Sequence, residues 1–440
     1  MRDRCDMRHM RRCLCQSGSV FALVVVLLAG SAPGAELPRR GALLTLEQCR
    51  EIAWEHQPEL RAGFQDVRAG QARVGQERAA LYPQLGAESS YRRSSEVSRA
   101  SSGTEREVSS EYSHQLGASQ LLYDFGRTKA RVRKRRLEAE SLQADLEDMR
   151  ERIDFMVRQT YFGVLKAQRD WQVAVETVRQ YEEHLRQAKG FFEAGVKPRF
   201  DVTKAEVDLS RARLGLITAE NAVRLAQVRL NNAMGVPDAP DYRLEDILER
   251  QFEHIALETV LERALRNRAD LRSLDLRKQS LDEALKAAKA GHYPHLDGVA
   301  LYRWIGEEYP LDREWQVGAA VTLPLFTGLR TRHEVLEARA NRKAEEARED
   351  ALKQIIVLEA QQAWLNLREA QERIGTARLA VRQARENFDI AQGRYRTGVG
   401  NPIEVTDAQV SYADARNVLT GALYDYQIAV AALERVMGLR

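Results

Sequence analysis

Apolar and small residues fall at positions 142, 146, 149, 153, 156, 160, 164, 167, 171, 174, 178, 181, 185, 188 and 192, in steps of three and four. Such a seam runs along one side of a continuous helix and suits coiled-coil packing. Two successive steps of four beside Gly163 form a hendecad-like stretch that would locally unwind a supercoil. From Arg127 to about Ala194 there is no proline and there are only two glycines, so the spacing predicts one helix over 127–194. At 1.5 Å per residue it would be about 100 Å long, far beyond the globular average. A twin is expected from about Leu329 to Arg394. Shorter periodic stretches predict helices at roughly Leu46 to Tyr82, 199–234, 257–292 and 402–437. Each is about half as long or somewhat less, so two stacked end to end would match one long partner.

A different period appears between the helices. Trp315, Val317, Ala319, Val321, Leu323 and Leu325 alternate with Gln316, Gly318, Ala320 and Thr322. One apolar face against one small or polar face is the pattern of a membrane barrel strand, and about ten residues suits an outer membrane. Leu296, Gly298, Ala300, Tyr302 and Trp304 form a second such face, blurred by Val299, Leu301 and Ile305. Gln84 to Ser95 and Ser109 to Phe125 are more polar and alternate more weakly. The expected strand regions are therefore 84–125 and 295–326. Aromatic residues gather near their ends, including Tyr82, Tyr123, Phe125, Tyr293, Trp304 and Phe326, as interfacial girdles do.

These elements occur twice. Leu46-Glu47 through Pro58-Glu59-Leu60 to Tyr82-Pro83-Gln84-Leu85 matches Leu257-Glu258 through Ala269-Asp270-Leu271 to Tyr293-Pro294-His295-Leu296 at a constant offset. Gln115-Leu116-Gly117-Ala118 with Phe125 matches Gln316-Val317-Gly318-Ala319 with Phe326, after a loss of about ten residues expected in a loop. Gly195-Val196, Val202-Thr203 and Met234-Gly235 match Gly398-Val399, Val405-Thr406 and Met437-Gly438. The chain of 440 residues thus reads as a first repeat over 36–240, a linker over 241–256 and a second repeat over 257–440. Four strands per chain are too few for a closed barrel, which needs about eight or more, so a membrane form must oligomerise.

Residues 1–35 stand apart. Five arginines precede the apolar run Val20 to Ala29, and small residues follow, as in a Sec-type signal peptide. The run is about half the length of a spanning helix. Ser31 stands where a lipoprotein signal would carry cysteine, so no lipid anchor is expected there. Cleavage would leave Cys49 as the sole cysteine and reduce 67 basic and 64 acidic residues to 62 of each. That neutral balance argues against a nucleic-acid partner.

Signal peptide, tandem halves, paired strands and the turns Gly195-Val196-Lys197-Pro198 and Gly398-Val399-Gly400-Asn401-Pro402 together resemble the TolC outer-membrane efflux and secretion channel family. Leu122-Tyr123-Asp124-Phe125-Gly126-Arg127 and Leu323-Pro324-Leu325-Phe326-Thr327-Gly328 resemble its strand-to-helix junctions. The likeness runs from about Leu43 to Gly438. It implies a mainly α protein with a small β part. Three copies would form a twelve-stranded transmembrane barrel over a twelve-helix tunnel that closes like an iris. It also implies a periplasmic adaptor and an inner-membrane RND or ABC transporter as partners, and a seat in outer-membrane lipid.

The two turns are the candidate gate. Asn401 is a candidate N-cap, Pro402 suits the first helical position, and Glu404 and Asp407 share one helix face. In a trimer they form rings of three carboxylates that favour cations, at the positions of the family's acidic entrance residues. Carboxylates in a first turn also simply complement the helix dipole. Asp201 matches Glu404 in the first turn, whereas Lys204 replaces the partner of Asp407. Tyr395 matches the family's tip tyrosine and is expected to bond Asp201 in a closed state. Gly400 stands where the best-known members carry arginine, implying a lightly latched gate. Gly195, Gly398 and Gly400 are expected to supply positive φ, and Gly195, Val196, Lys197, Gly398, Val399 and Gly400 to meet the adaptor.

Other chemistry is weakly represented. His292 and His295 have no completing cysteine or carboxylate cluster, so no metal is expected. No phosphate loop, nucleophile elbow or His-Glu-x-x-His run appears, so no enzyme activity or cofactor is expected. The basic run Arg131, Arg133, Lys134, Arg135, Arg136 would face lipid phosphates or water. The competing reading is a soluble periplasmic coiled-coil adaptor or scaffold with no pore.

Overall fold

The computed structural model describes residues 40–100, 103–249 and 255–439. The expected leader over 1–35 lies outside them. The first half comprises β1 (Leu43–Leu44), α1 (Leu46–His56), α2 (Pro58–Ala79), β2 (Gln84–Ala100), β3 (Gly103–Tyr123), α3 (Arg127–Glu193) and α4 (Arg199–Ala233). The second comprises β4 (Arg243–Leu244), α5 (Leu257–Asn267), α6 (Ala269–Ala290), β5 (His295–Gly306), β6 (Asp312–Thr322), α7 (Arg330–Arg396) and α8 (Pro402–Val436).

Helix for helix the halves agree in length. α1 and α5 have 11 residues each, α2 and α6 22, α3 and α7 67, and α4 and α8 35. α3 and α7 run the whole height. Nearer the sheet the packing order is α2–α3–α6–α7, and nearer the tips it is α4–α3–α8–α7. The small residues explain how close the helices lie: Ala264, Ala360 and Ala429 are buried in one cluster with Ile356, Leu433 and Met437.

Periodicity predicts one helix from Leu46 to Tyr82, whereas the chain breaks after His56. Gln57 is extended at φ −66°, ψ 119° and Pro58 opens α2, as proline demands of the residue before it. Proline alone is not the cause, because the second half breaks identically at Arg268 with alanine following. Both breaks receive the end of a stacked helix. Gly235, at φ +73°, lies so close to Gln57 that a Cβ would sit 2.8 Å from its backbone, and Gly438 approaches Asn267 in the same way. Gln57 Nε2 then donates to the Ala233 carbonyl at 3.0 Å, closing the C-terminus of α4.

The sheet has the order β2-β3-β5-β6, all antiparallel, with β2 and β6 unpaired at the edges. The ten residues missing from the second half are not lost from a loop. β2 and β3 are 17 and 21 residues long, against 12 and 11 for β5 and β6, so the first hairpin extends past the second. β6 also stops at Thr322, short of the expected 326, where Pro324 has no N–H to continue a ladder.

Register resolves the blurred alternation of β5. Leu85↔Ala118, Leu116↔Tyr302 and Tyr302↔Trp315 align Leu85, Leu116, Tyr302 and Trp315 on one face. Val299, Leu301 and Ile305 fall on the other face, beside Gln115, Arg303 and Gln316. The first face is apolar and exposed, with Leu85 81%, Trp315 75% and Val317 72% accessible. Aromatic clusters mark its two ends. Tyr91, Tyr112 and Tyr309 meet in tilted contacts at one, with centroids 4.9 and 5.5 Å apart, and Tyr123, Phe125 and Tyr293 gather at the other, at 4.8 and 5.2 Å.

Each long helix starts after two residues in the left-handed region, Phe125 and Gly126 in one half and Gly328 and Leu329 in the other. Asp124 Oδ2 accepts from Thr128 N at 2.7 Å, and Thr327 Oγ1 from Thr331 N at 3.5 Å. The structural partner of Phe125 is therefore Gly328, not Phe326 as residue identity suggests.

Candidate gate at the two helical tips

The α3–α4 and α7–α8 turns share one design. Gly195 at φ +71° and Gly398 at φ +80° supply the left-handed step. Val196 N donates to Phe191 O at 2.9 Å and Val399 N to Arg394 O at 3.2 Å, so each turn closes the helix end in a Schellman manner. Gly400 differs from expectation, since its φ is not positive. It is needed for space instead: a Cβ there would sit 2.7 Å from Tyr395 N. Asn401 caps α8, its Oδ1 accepting from Ile403 N at 2.9 Å, and Pro402 takes the first helical position.

Tyr395 is fully buried. Its ring meets Phe191 edge-on at 5.7 Å and His184 at 5.0 Å, with Lys197 Nζ 5.8 Å above it. The hydroxyl has no hydrogen-bond partner among the described residues. The bond to Asp201 expected in a closed state is thus not made in this structure, where the ring packs against Phe191 and His184 and the hydroxyl is buried. Burial first, and then the charge of Asp201, push the Tyr395 pKa up. Asp201 itself is only 5% exposed.

Glu404 and Asp407 are both exposed on α8. Glu404 faces Arg394 of α7 at 3.8 Å, both side chains about half exposed, so the pair is worth at most about 1 kcal/mol. Lys197, expected only as an adaptor contact, donates from the first turn to the Gly400 carbonyl of the second at 3.4 Å.

Sequence reasoning missed a buried polar cluster just above the turns. Asp208 of α4 is 4% exposed, and accepts from Lys204 Nζ at 2.8 and 3.0 Å and from Thr406 Oγ1 of α8 at 3.2 Å. His184 of α3 is 5% exposed. Burial lowers its pKa, Asp208 and Asp201 work to raise it, and Lys204 lowers it further. Burial, then Asp208 and Asp407, hold the Tyr181 hydroxyl up at about 12. The one available signal was the placement of His184 and Asp208 at packing positions of otherwise regular helices. Among the described residues no group of side chains could hold a metal ion, and no helix is long and apolar enough to cross a membrane.

The model of the family described as outer membrane efflux protein matches residues 50–236 and 260–439, taking in both tips and both hairpins. The chain belongs to that family. Its members are transport proteins of the outer membrane. Protein CyaE of Bordetella pertussis is 25% identical over 401 residues, covering 89% of this chain and 82% of its own. Proteases secretion protein PrtF of Dickeya chrysanthemi is 24% identical, covering 92% and 89%. The solved outer-membrane channel OprN superposes with a TM-score of 0.78 at 19% identity, over 92% of this chain and 95% of its own, and shares the fold.

Proposed function

We propose that this chain is the outer-membrane exit duct of a tripartite efflux or type I secretion system, assembled from three identical copies. The observation that carries the reading is the four-stranded sheet, apolar on one face, mostly polar on the other apart from Val299, Leu301 and Ile305, and unpaired at both edges among the described residues. An open edge in hydrocarbon leaves backbone groups unsatisfied at several kcal/mol each. Since β6 runs antiparallel to β2, β6 of one copy can continue onto β2 of the next around an axis along the barrel, and three copies give twelve strands.

The helical edges support the same closure. α4 presents Phe200, Val207 and Leu214 at seven-residue spacing, and α7 presents Leu358, Leu365 and Leu379 on the same repeat, all at least 43% exposed. Such stripes on the outer members of a layer suit a heterologous, ring-closing contact. The tips then form the periplasmic gate, with Asp201, Tyr395, Glu404 and Asp407 controlling entry. Val196 and Val399, exposed at 60% and 76%, offer the adaptor two apolar knobs. An inner-membrane RND or ABC transporter would load the duct. The likeness to a protein named for protease secretion supports the type I alternative.

Extraction tests this reading. The membrane-bound protein should resist washing in salt and leave the membrane only in detergent, as a trimer. Release by salt as a soluble monomer would favour a poreless scaffold.

A further inference from the structure

The face of the sheet opposite Leu85, Trp315 and Val317 carries an apolar patch. Val299 of β5 lies between Ser119 of β3 and Gly318 of β6, and Leu301 between Gly117 and Gln316, with Gly86 of β2 one strand further. Val299 is 41% exposed. When three copies close a barrel, this face lines the lumen, where polar residues are the rule.

The glycines beside the patch are not demanded by the fold. None of Gly86, Gly117 and Gly318 has a positive φ. Within the chain an added Cβ would meet nothing within 4 Å at Gly86 or Gly318, and at Gly117 only Leu301 Cδ1 at 3.9 Å. Gly298, on the opposite face, differs: its Cβ position lies 3.3 Å from Leu122 Cδ1, so packing requires it. Glycine weakens a strand interior, and where neither backbone nor packing calls for it, it often marks a place that a ligand approaches closely.

Charge says which ligand. Glu88, Asp297, Asp312 and Glu314 share this face within two rows of the patch, against the single guanidinium of Arg303. His295 Nε2, 3.5 Å from Asp297, adds a cation only when protonated. Residues two apart on a strand stand about 7 Å apart, and neighbouring strands about 4.8 Å, so Val299 and Leu301 with their glycine margins match one aromatic ring or a short alkyl group.

We propose that Val299 and Leu301, bedded between Gly117 and Gly318, form a luminal site for the apolar part of small organic cations. The apolar group leaves water against the valine and leucine, and the glycines let it lie close to the sheet. The surrounding carboxylates favour a positive charge on it over a negative one. This inference rests on the outer-membrane reading above, because only a closed barrel turns this face inward.

The test uses the full chain purified as a detergent trimer and inserted in planar bilayers, with probes added on the barrel side. Open-channel block by benzyltrimethylammonium should be about tenfold tighter than by tetramethylammonium, as burial of roughly two methylene groups' worth of apolar surface would give, and tighter than by benzenesulfonate. V299T/L301S, at wild-type conductance, should lose the preference for the ring. G86T/G318T fills the margins with side chains that strands accept and should lose most of it. Equal block of wild type by the two cations, or an undiminished preference in either variant, overturns the site and leaves the channel reading standing. Block by benzenesulfonate as tight as by benzyltrimethylammonium overturns the cation assignment. A chain that forms no channels overturns both readings.

Discussion

Lys197 Nζ reaches across the tip to the carbonyl of Gly400, 3.4 Å away, and joins the first helical turn to the second. The bond is long and half-buried, so it holds the turns with modest strength. Lys197→Met should raise the open-to-closed ratio of single channels by about twofold to fivefold, and Lys197→Arg should restore it. Planar-bilayer recordings check this. Unchanged gating in the methionine variant would remove Lys197 from the latch.

Cation preference should depend unequally on the two carboxylates. Arg394 partly offsets Glu404, whereas Asp407 has no ion-pair partner among the described residues. Asp407→Asn should therefore reduce cation selectivity more than Glu404→Gln, and Arg394→Gln should increase it. Reversal potentials in a salt gradient measure all three. Equal effects of the two carboxylates would mean that Arg394 does not shield Glu404.

His184 should make the tip sensitive to acid. Its folded pKa lies below the ordinary value, chiefly through burial, so the opened or unfolded tip binds a proton more readily than the packed one. Tip stability is then fully present above about pH 6.5 and falls as pH drops towards the depressed folded value. Asp201 and Asp208 moderate the loss, and Lys204 adds to it. Hydrogen exchange across 181–209, corrected for intrinsic rates, should rise between about pH 7.5 and about pH 5.5. In His184→Gln that rise should vanish. Persistence of the full rise would assign it to another group.

Gly235 is where a single methyl should do most harm away from the gate. Gly235→Ala places a Cβ against the Gln57 backbone at 2.8 Å and strains a positive φ, at a cost of about 2 kcal/mol or more. Gly195→Ala has open space around its Cβ and should lose only about 1 kcal/mol. Thermal unfolding of the two variants compares them. Equal loss would deny the close approach.

The long helices were legible because their burial repeats in threes and fours over many turns, which few other structures produce. The break at Gln57 was not legible. In the second half no proline marks it, and its cause, the lodged end of the stacked helix at Gly438, lies far away in sequence. β2 and β3 were readable only in part, because their polar face and their extension beyond β5 dilute the alternation seen in β6. At the tip, turn residues such as Asn401 and Gly398 declare their conformations locally. The coupling of Lys197 to Gly400, the cluster of His184 with Asp208, and the buried hydroxyl of Tyr395 arise only when four helices converge.

Single-channel current across a planar bilayer tests closure of the barrel most directly, using the protein purified in detergent without partners. Discrete, long-lived conductance steps from a trimeric preparation are expected, small at rest and larger once the tip is loosened by Lys197→Met. A preparation that inserts no channels at any voltage, while remaining folded and monomeric without detergent, would contradict a sheet completed by three copies.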